Sequence, residues 1–145
     1  MSIDLRSHKA AYADMLRLSN TAEGLLENTG LTRSLGELVK LRVSQINGCA
    51  FCLRMYTRDA IELGESADRL AVLAAWWESQ YFTDAEKAAL AIAERVTDIA
   101  NRDPQAYDES ALTPEQASAV AWLALVMNAW NRLAITSHYP VGPQD

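Results

Sequence analysis

Between Thr83 and Ile99 an apolar residue returns at every third or fourth place: Ala85, Ala89, Ile92, Val96 and Ile99. That period lines one face of an α-helix and matches no face of a strand. Thr83 and Glu86 stand where a capping box opens such a helix. The pattern recurs along the chain, and no run of alternating β-branched and aromatic residues competes with it. The expectation is an all-α fold, a compact bundle of about six helices.

The first helix is expected from about Ser7 to Glu27, with Tyr12, Met15, Leu16, Leu25 and Leu26 on its apolar side and Gly30 soon after it. The second opens at Ser34, where SLGE reads as a capping box closed by Glu37. It runs through Leu38, Leu41 and Ile46 and stops at Asn47-Gly48, a pair suited to a left-handed C-terminal turn. The third spans Cys49 to Gly64, and Ser66 caps a fourth through Leu70, Leu73 and Trp77. Thr113, Pro114 and Gln116 open the sixth. Its segment ASAVAWLALVMNAWNRLAI is apolar on nearly every side, so it is expected to be buried and in part to face another subunit.

A length of 145 residues with 50% apolar content fits one domain, 1–145, with a real core. Only the tail from Pro140 to Asp145 reads as disordered. Thirteen basic residues against nineteen acidic ones give a net charge of -6, and no basic run follows a phosphate backbone. Nucleic acid is therefore not the expected partner. The N-terminus lacks the apolar core of a secretory signal. The longest uncharged stretch, between Glu115 and Arg132, is too short for a membrane span. The protein is read as soluble and cytoplasmic.

Both cysteines of the chain, Cys49 and Cys52, lie in one C-x-x-C at an expected helix start. In a reducing compartment such a pair points to redox chemistry or metal rather than a lasting structural bridge. The first turn of a helix presents free N–H groups and the positive end of the macrodipole, which favour the reactive thiolate. The i, i+3 spacing brings the sulfurs to one face, within reach of a disulfide. Burial as two small hydrophobes is the plain structural alternative. A zinc site wants four ligands, and the only histidines, His8 and His138, lie near the chain ends. No metal and no cofactor is expected. Thioredoxin places its pair on a strand–helix unit, whereas the segment before Cys49 is helical.

Glu37, twelve residues before Cys49, is a candidate proton acceptor if the third helix runs back beside the second. Its structural alternative is to close the box on Ser34. Tyr56 lies four residues after Cys52, one turn on along the same face, and in that same arrangement its hydroxyl is expected between Cys52 and Glu37. A half-buried aromatic with a backbone partner is the alternative there. Lys40, Arg42, Arg54 and Arg58 are expected to be solvated, and Trp76 and Trp77 to be core or pocket wall.

The segments ELVKLRVSQINGCAFCLRMYTRDA, LAVLAAWWESQYFTDAEKAALAIAERVT and NAWNRLAI resemble the alkylhydroperoxidase AhpD-like core family, part of the carboxymuconolactone decarboxylase superfamily. The similarity covers nearly the whole chain. The family motif is a glutamate, twelve residues to a C-x-x-C, then four residues to a histidine. Glu37, Cys49 and Cys52 match it, and Tyr56 stands in place of the histidine.

The resemblance implies a helical fold assembled into homotrimers or homohexamers, and thiol-dependent reduction of hydroperoxides in antioxidant defence. It implies a dithiol reductant of lipoamide type. It casts Cys52 as the sulfur attacked by peroxide, Cys49 as the resolving thiol and Glu37 as the base of a proton relay. Helix position alone favours Cys49 as the more activated thiol. A phenol takes up protons far less readily than an imidazole, so Tyr56 implies weakened peroxidase activity or a relay through its neutral hydroxyl or water. Two other functions fit the same chain: a redox-sensing, stress-associated oligomer, and a carboxymuconolactone decarboxylase-like enzyme. The redox readings all require sulfurs that an oxidant can reach.

Overall fold

A computed structural model describes residues 1–101 and 108–144. All regular elements among them are helical: α1 (Lys9–Asn28), α2 (Arg33–Asn47), α3 (Ala50–Glu62), α4 (Ala67–Val72), α5 (Asp84–Thr97) and α6 (Pro114–Thr136). Short 3-10 turns occupy Leu5–Ser7, Leu73–Glu78 and Glu109–Ala111. The chain forms the all-α bundle its periodicity implies.

Helix α2 is the hub, packing against α1, α3, α5 and α6. Nine of its fifteen residues are buried, so a charged side chain on α2 is taken out of water on most of its faces. One apolar cluster joins Val39 and Val43 to Ile92 of α5 and to Val120, Leu123 and Met127 of α6. A second joins Leu38 and Leu41 to Ala60 of α3, Leu90 of α5 and the turn residues Leu73 and Trp76. A third and smaller one holds Cys49, Cys52 and Ala134. Tyr56 packs against all three.

Close approach of α1 to α2 depends on Gly36, where a Cβ would lie 2.9 Å from Leu26 Cδ2. Gly48 ends α2 in the left-handed region, at φ 70° and ψ 37°, as the Asn-Gly pair implies. The turn is pinned by side chains. Asn47 donates to Asn128 and Asn131 Oδ1, each at 2.9 Å. Fully buried Asn131 donates in turn to Ser44 Oγ at 3.0 Å.

Capping boxes form at Thr83–Glu86 and Thr113–Gln116 as expected. The box at Ser34 does not. Thr32 has the extended backbone of an N-cap and accepts from Leu35 N–H at 3.1 Å. Ser34 already lies inside the helix and donates to Glu65 at 2.7 Å. Glu37 is thereby released from a capping role.

Helix α1 turns Ala22 and Leu26 inward and leaves Leu16 and Leu25 exposed. The fourth helix stops at Val72, and a kink at Ala75 (φ −127°, ψ 38°) interrupts the turn that follows. Past the kink Trp76 is buried, its Nε1 donating to Glu94 at 2.7 Å, while Trp77 stays half-exposed. Helix α5 ends at Thr97, so Ile99 falls beyond its apolar face and is 82% exposed.

Helix α6 buries nine of its 23 residues and leaves Trp122, Leu125 and Ile135 in the open, so it is not enclosed on every side. None of the described helices is long and apolar enough to cross a membrane. The tail is tied down rather than loose. Arg54 donates to Gly142 O at 3.0 Å and Arg58 to Gln144 Oε1 at 3.1 Å. Asp145 lies outside the described residues.

Candidate functional site

The αL turn at Gly48 delivers Cys49 to the N-cap of α3, with Cys52 one turn in. Cys49 Sγ takes the capping role, accepting from Cys52 N–H at 3.3 Å. The two sulfurs are bonded to each other, with Cα atoms 5.3 Å apart. Both residues are buried, Cys49 at 1% and Cys52 at 2% exposure. Ala134 of α6 packs against them, and Phe51 meets Tyr139 edge to face at 4.9 Å.

Access is not equal for the two sulfurs. A cavity of about 280 Å³ is lined by Cys52 but not by Cys49. Its walls are aromatic: Tyr12, Phe51, Tyr56, Trp130 and Tyr139 surround it. Tyr12 stands edge-on to Trp130 at 5.5 Å. The Tyr139 hydroxyl is buried with no hydrogen-bond partner among the described residues, the Tyr12 phenol being near but outside hydrogen-bond geometry.

Helix α3 does return along α2, and a charged cluster sits where they meet. Lys40 Nζ lies 2.6 Å from Glu37 Oε1 and 2.7 Å from Glu23 Oε1 of α1. The same ammonium lies over the face of Tyr56, 4.7 Å from the ring centroid. Glu37 Oε2 is buried with no hydrogen-bond partner among the described residues. Burial raises the Glu37 carboxyl above the ordinary glutamate value, while the Lys40 charge pulls it down. Burial also raises the Tyr56 phenol, and the Glu37, Glu23 and Asp59 charges add to that. Tyr56 is thus a neutral hydroxyl at physiological pH, able to donate a hydrogen bond and unable to serve as a phenolate.

The four residues singled out in sequence therefore fall into one region. Cys52 and Tyr56 share the cavity, and Glu37 is linked to Tyr56 through Lys40. Lys40, a solvated residue by its sequence, is instead 6% exposed, because α1 and α3 close over it. Its i, i+3 spacing from Glu37 is the one local signal of their pairing. Nothing in the local sequence announces Glu23, which reaches Lys40 only because α1 packs against α2. Arg42 is also drawn inward, donating to Glu94 at 2.8 Å. Among the described residues, no three His, Cys, Asp or Glu side chains converge as a metal site needs.

Residues 14–95 match the model of the carboxymuconolactone decarboxylase family, more than half of the chain. The chain belongs to that family. Within the carboxymuconolactone decarboxylase superfamily it is AhpD-like, and two relatives bear on this. The uncharacterised protein YdfG of Bacillus subtilis (strain 168) is 34% identical over 142 residues, covering 89% of this chain and 93% of that one. A crystal structure from Agrobacterium tumefaciens, of a protein of unknown function named as a candidate antioxidant defence protein AhpD, superposes with a TM-score of 0.76. It is 27% identical, and the match covers 92% of each chain.

Proposed function

We propose that the protein is a thiol-dependent hydroperoxide reductase acting in antioxidant defence. In the reduced protein the Cys52 thiolate attacks the terminal oxygen of a hydroperoxide. An S–O bond forms, the O–O bond breaks, and the organic oxygen leaves as an alcohol once protonated. Cys52 is then a sulfenic acid. Cys49 attacks that sulfur, closing the disulfide and releasing water. A dithiol of lipoamide type supplies the two electrons and two protons that restore the pair. Glu37 accepts the thiol proton, and the neutral Tyr56 hydroxyl hands a hydrogen bond along the path between Glu37 and Cys52.

The observation that carries this reading is that Cys52, and not Cys49, borders the cavity. It favours Cys52 as the sulfur that meets substrate, against the preference for Cys49 from helix position. Exposed Trp122 and Leu125 on α6 offer the surface through which copies would assemble as trimers or hexamers. The reaction belongs in the cytoplasm, where dithiol reductants are available.

The deciding experiment follows hydroperoxide consumption with a dithiol reductant. Cys52→Ser is expected to abolish it, and Cys49→Ser to stop after a single oxidation. Unchanged turnover in both variants would end the reading. Tyr56→His is expected to raise the rate. Burial of both sulfurs favours a second reading, a redox sensor whose pair oxidises slowly without turnover. A sizing column run with and without reductant separates the two, since a sensor changes assembly with redox state.

A further inference from the structure

We infer that Lys40 is a positioning residue for Glu37, an ammonium clamp that keeps this buried carboxyl ionised and holds the Tyr56 ring beside it. The inference rests on the hydroperoxide-reductase reading for its catalytic consequence, but its geometry is independent of that reading.

Glu37 is 8% exposed and one of its oxygens has no hydrogen-bond partner among the described residues. A carboxyl so placed favours its neutral form, which accepts no proton from a thiol. The opposing influence is Lys40, 2.6 Å from the other oxygen. Its side chain is 7% exposed, so its charge is poorly screened by water. The remaining groups facing Glu37 do not replace it. Glu23 of α1 and Asp59 of α3 are acidic, and both push the Glu37 carboxyl towards protonation. Tyr56 of α3 is a neutral phenol. Arg33 and Glu27 border the narrow gap beside Glu37, but each is more than half exposed and they pair with each other.

The clamp is shared. One ammonium serves two carboxylates, Glu37 and Glu23, at nearly equal distances. The pair of carboxylates with one cation carries a net negative charge, so Glu37 keeps its appetite for a proton while staying ionised. The same nitrogen caps the Tyr56 face. The positive charge that a protonated imidazole would bring to this place is therefore resident on Lys40, and the phenol is left to donate a hydrogen bond.

The test titrates the Glu37 side chain by carbon-13 carboxyl NMR in the reduced protein, with Glu37→Gln assigning the signal. Stopped-flow oxidation of Cys52 is followed on the same samples. Lys40→Met is expected to raise the Glu37 midpoint by about 1–3 pH units. Between the old and new midpoints Cys52 oxidation slows about tenfold for every pH unit below the new one. Lys40→Arg restores most of both. Glu23→Gln moves the midpoint the opposite way, because it removes a repelling carboxylate and leaves the ammonium to Glu37. Lys40→Gln, which keeps a hydrogen-bond donor and removes only the charge, is titrated as well in case Lys40→Met fails to fold, and it too is expected to raise the midpoint. A Glu37 midpoint that stays put in whichever of Lys40→Met and Lys40→Gln folds overturns the clamp. If the midpoints move as stated while the wild-type protein turns over no hydroperoxide, the clamp stands and the reductase reading falls.

Discussion

The Lys40 ammonium stands 4.7 Å above the Tyr56 ring and 2.6 Å from the Glu37 carboxylate. A single side chain of α2 therefore touches both candidate proton-handling groups, one on its own helix and one on α3. Tyr56 in turn shares the aromatic cavity with Cys52. Charge, phenol and sulfur form a continuous series from the α1–α2 contact to the mouth of α3.

Stability should depend on Lys40 in a pH-dependent way. Lys40→Met leaves Glu37 buried with no counter-charge, and breaking such a pair costs about 3–5 kcal/mol. The loss is expected in full above the raised Glu37 value. It shrinks on acidification, because a carboxyl whose folded value is raised contributes most below its unfolded value and loses that contribution as pH rises through the folded one. Urea unfolding at pH 5 and pH 8 checks it, and an equal loss at both would contradict the charge argument.

Tyr56 should be a late-titrating phenol. Burial and the neighbouring carboxylates push it above the ordinary tyrosine value of about 10. Ultraviolet titration is expected to show a phenolate that forms only at more alkaline pH and vanishes in Tyr56→Phe. The linked stability is present below about pH 10 and is lost as pH rises through the folded value, so Tyr56→Phe should flatten the alkaline limb of the unfolding curve.

Asn131 holds the turn that presents the cysteines. It bonds Asn47 and Ser44 from a fully buried position. Asn131→Ala removes one hydrogen bond from each, leaving Asn47 with Asn128 and Ser44 with the Lys40 carbonyl, and is expected to cost about 1–3 kcal/mol in chemical denaturation. Because Asn47 precedes the αL residue leading to Cys49, the reduced pair should also react more slowly with a thiol-labelling reagent. A variant as stable as wild type would remove the network from consideration.

Tyr139 makes the opposite case. Its hydroxyl is buried and unsatisfied among the described residues, so Tyr139→Phe relieves a desolvation cost while keeping the ring against Phe51. A gain of up to about 1 kcal/mol is expected from thermal unfolding. A clear loss would mean that the hydroxyl has a partner of its own, such as water in the cavity.

Much of the fold is legible in the chain because helices are decided locally. Thr83 with Glu86, and Thr113 with Gln116, find each other within one turn, and both boxes form. The Asn47–Gly48 stop needs only a residue at ease with positive φ. Where two local signals compete, tertiary contacts choose between them. Ser34 with Glu37 looks like a cap, yet Thr32 two residues earlier takes the role. Ile99 keeps the apolar period of α5 after the helix has ended, because periodicity says which face a residue would share and not where hydrogen bonding stops.

By itself the sequence determined that the chain is helical, where most helices begin, and that its two sulfurs share one face at the start of α3. Tertiary structure alone decided which of those sulfurs borders the cavity, and that Lys40 lies out of water between Glu37 and Glu23. The reason is range. Caps and periods act across three or four neighbours on one helix, whereas the Glu23–Lys40 contact spans 17 positions and exists only once α1 and α2 have packed.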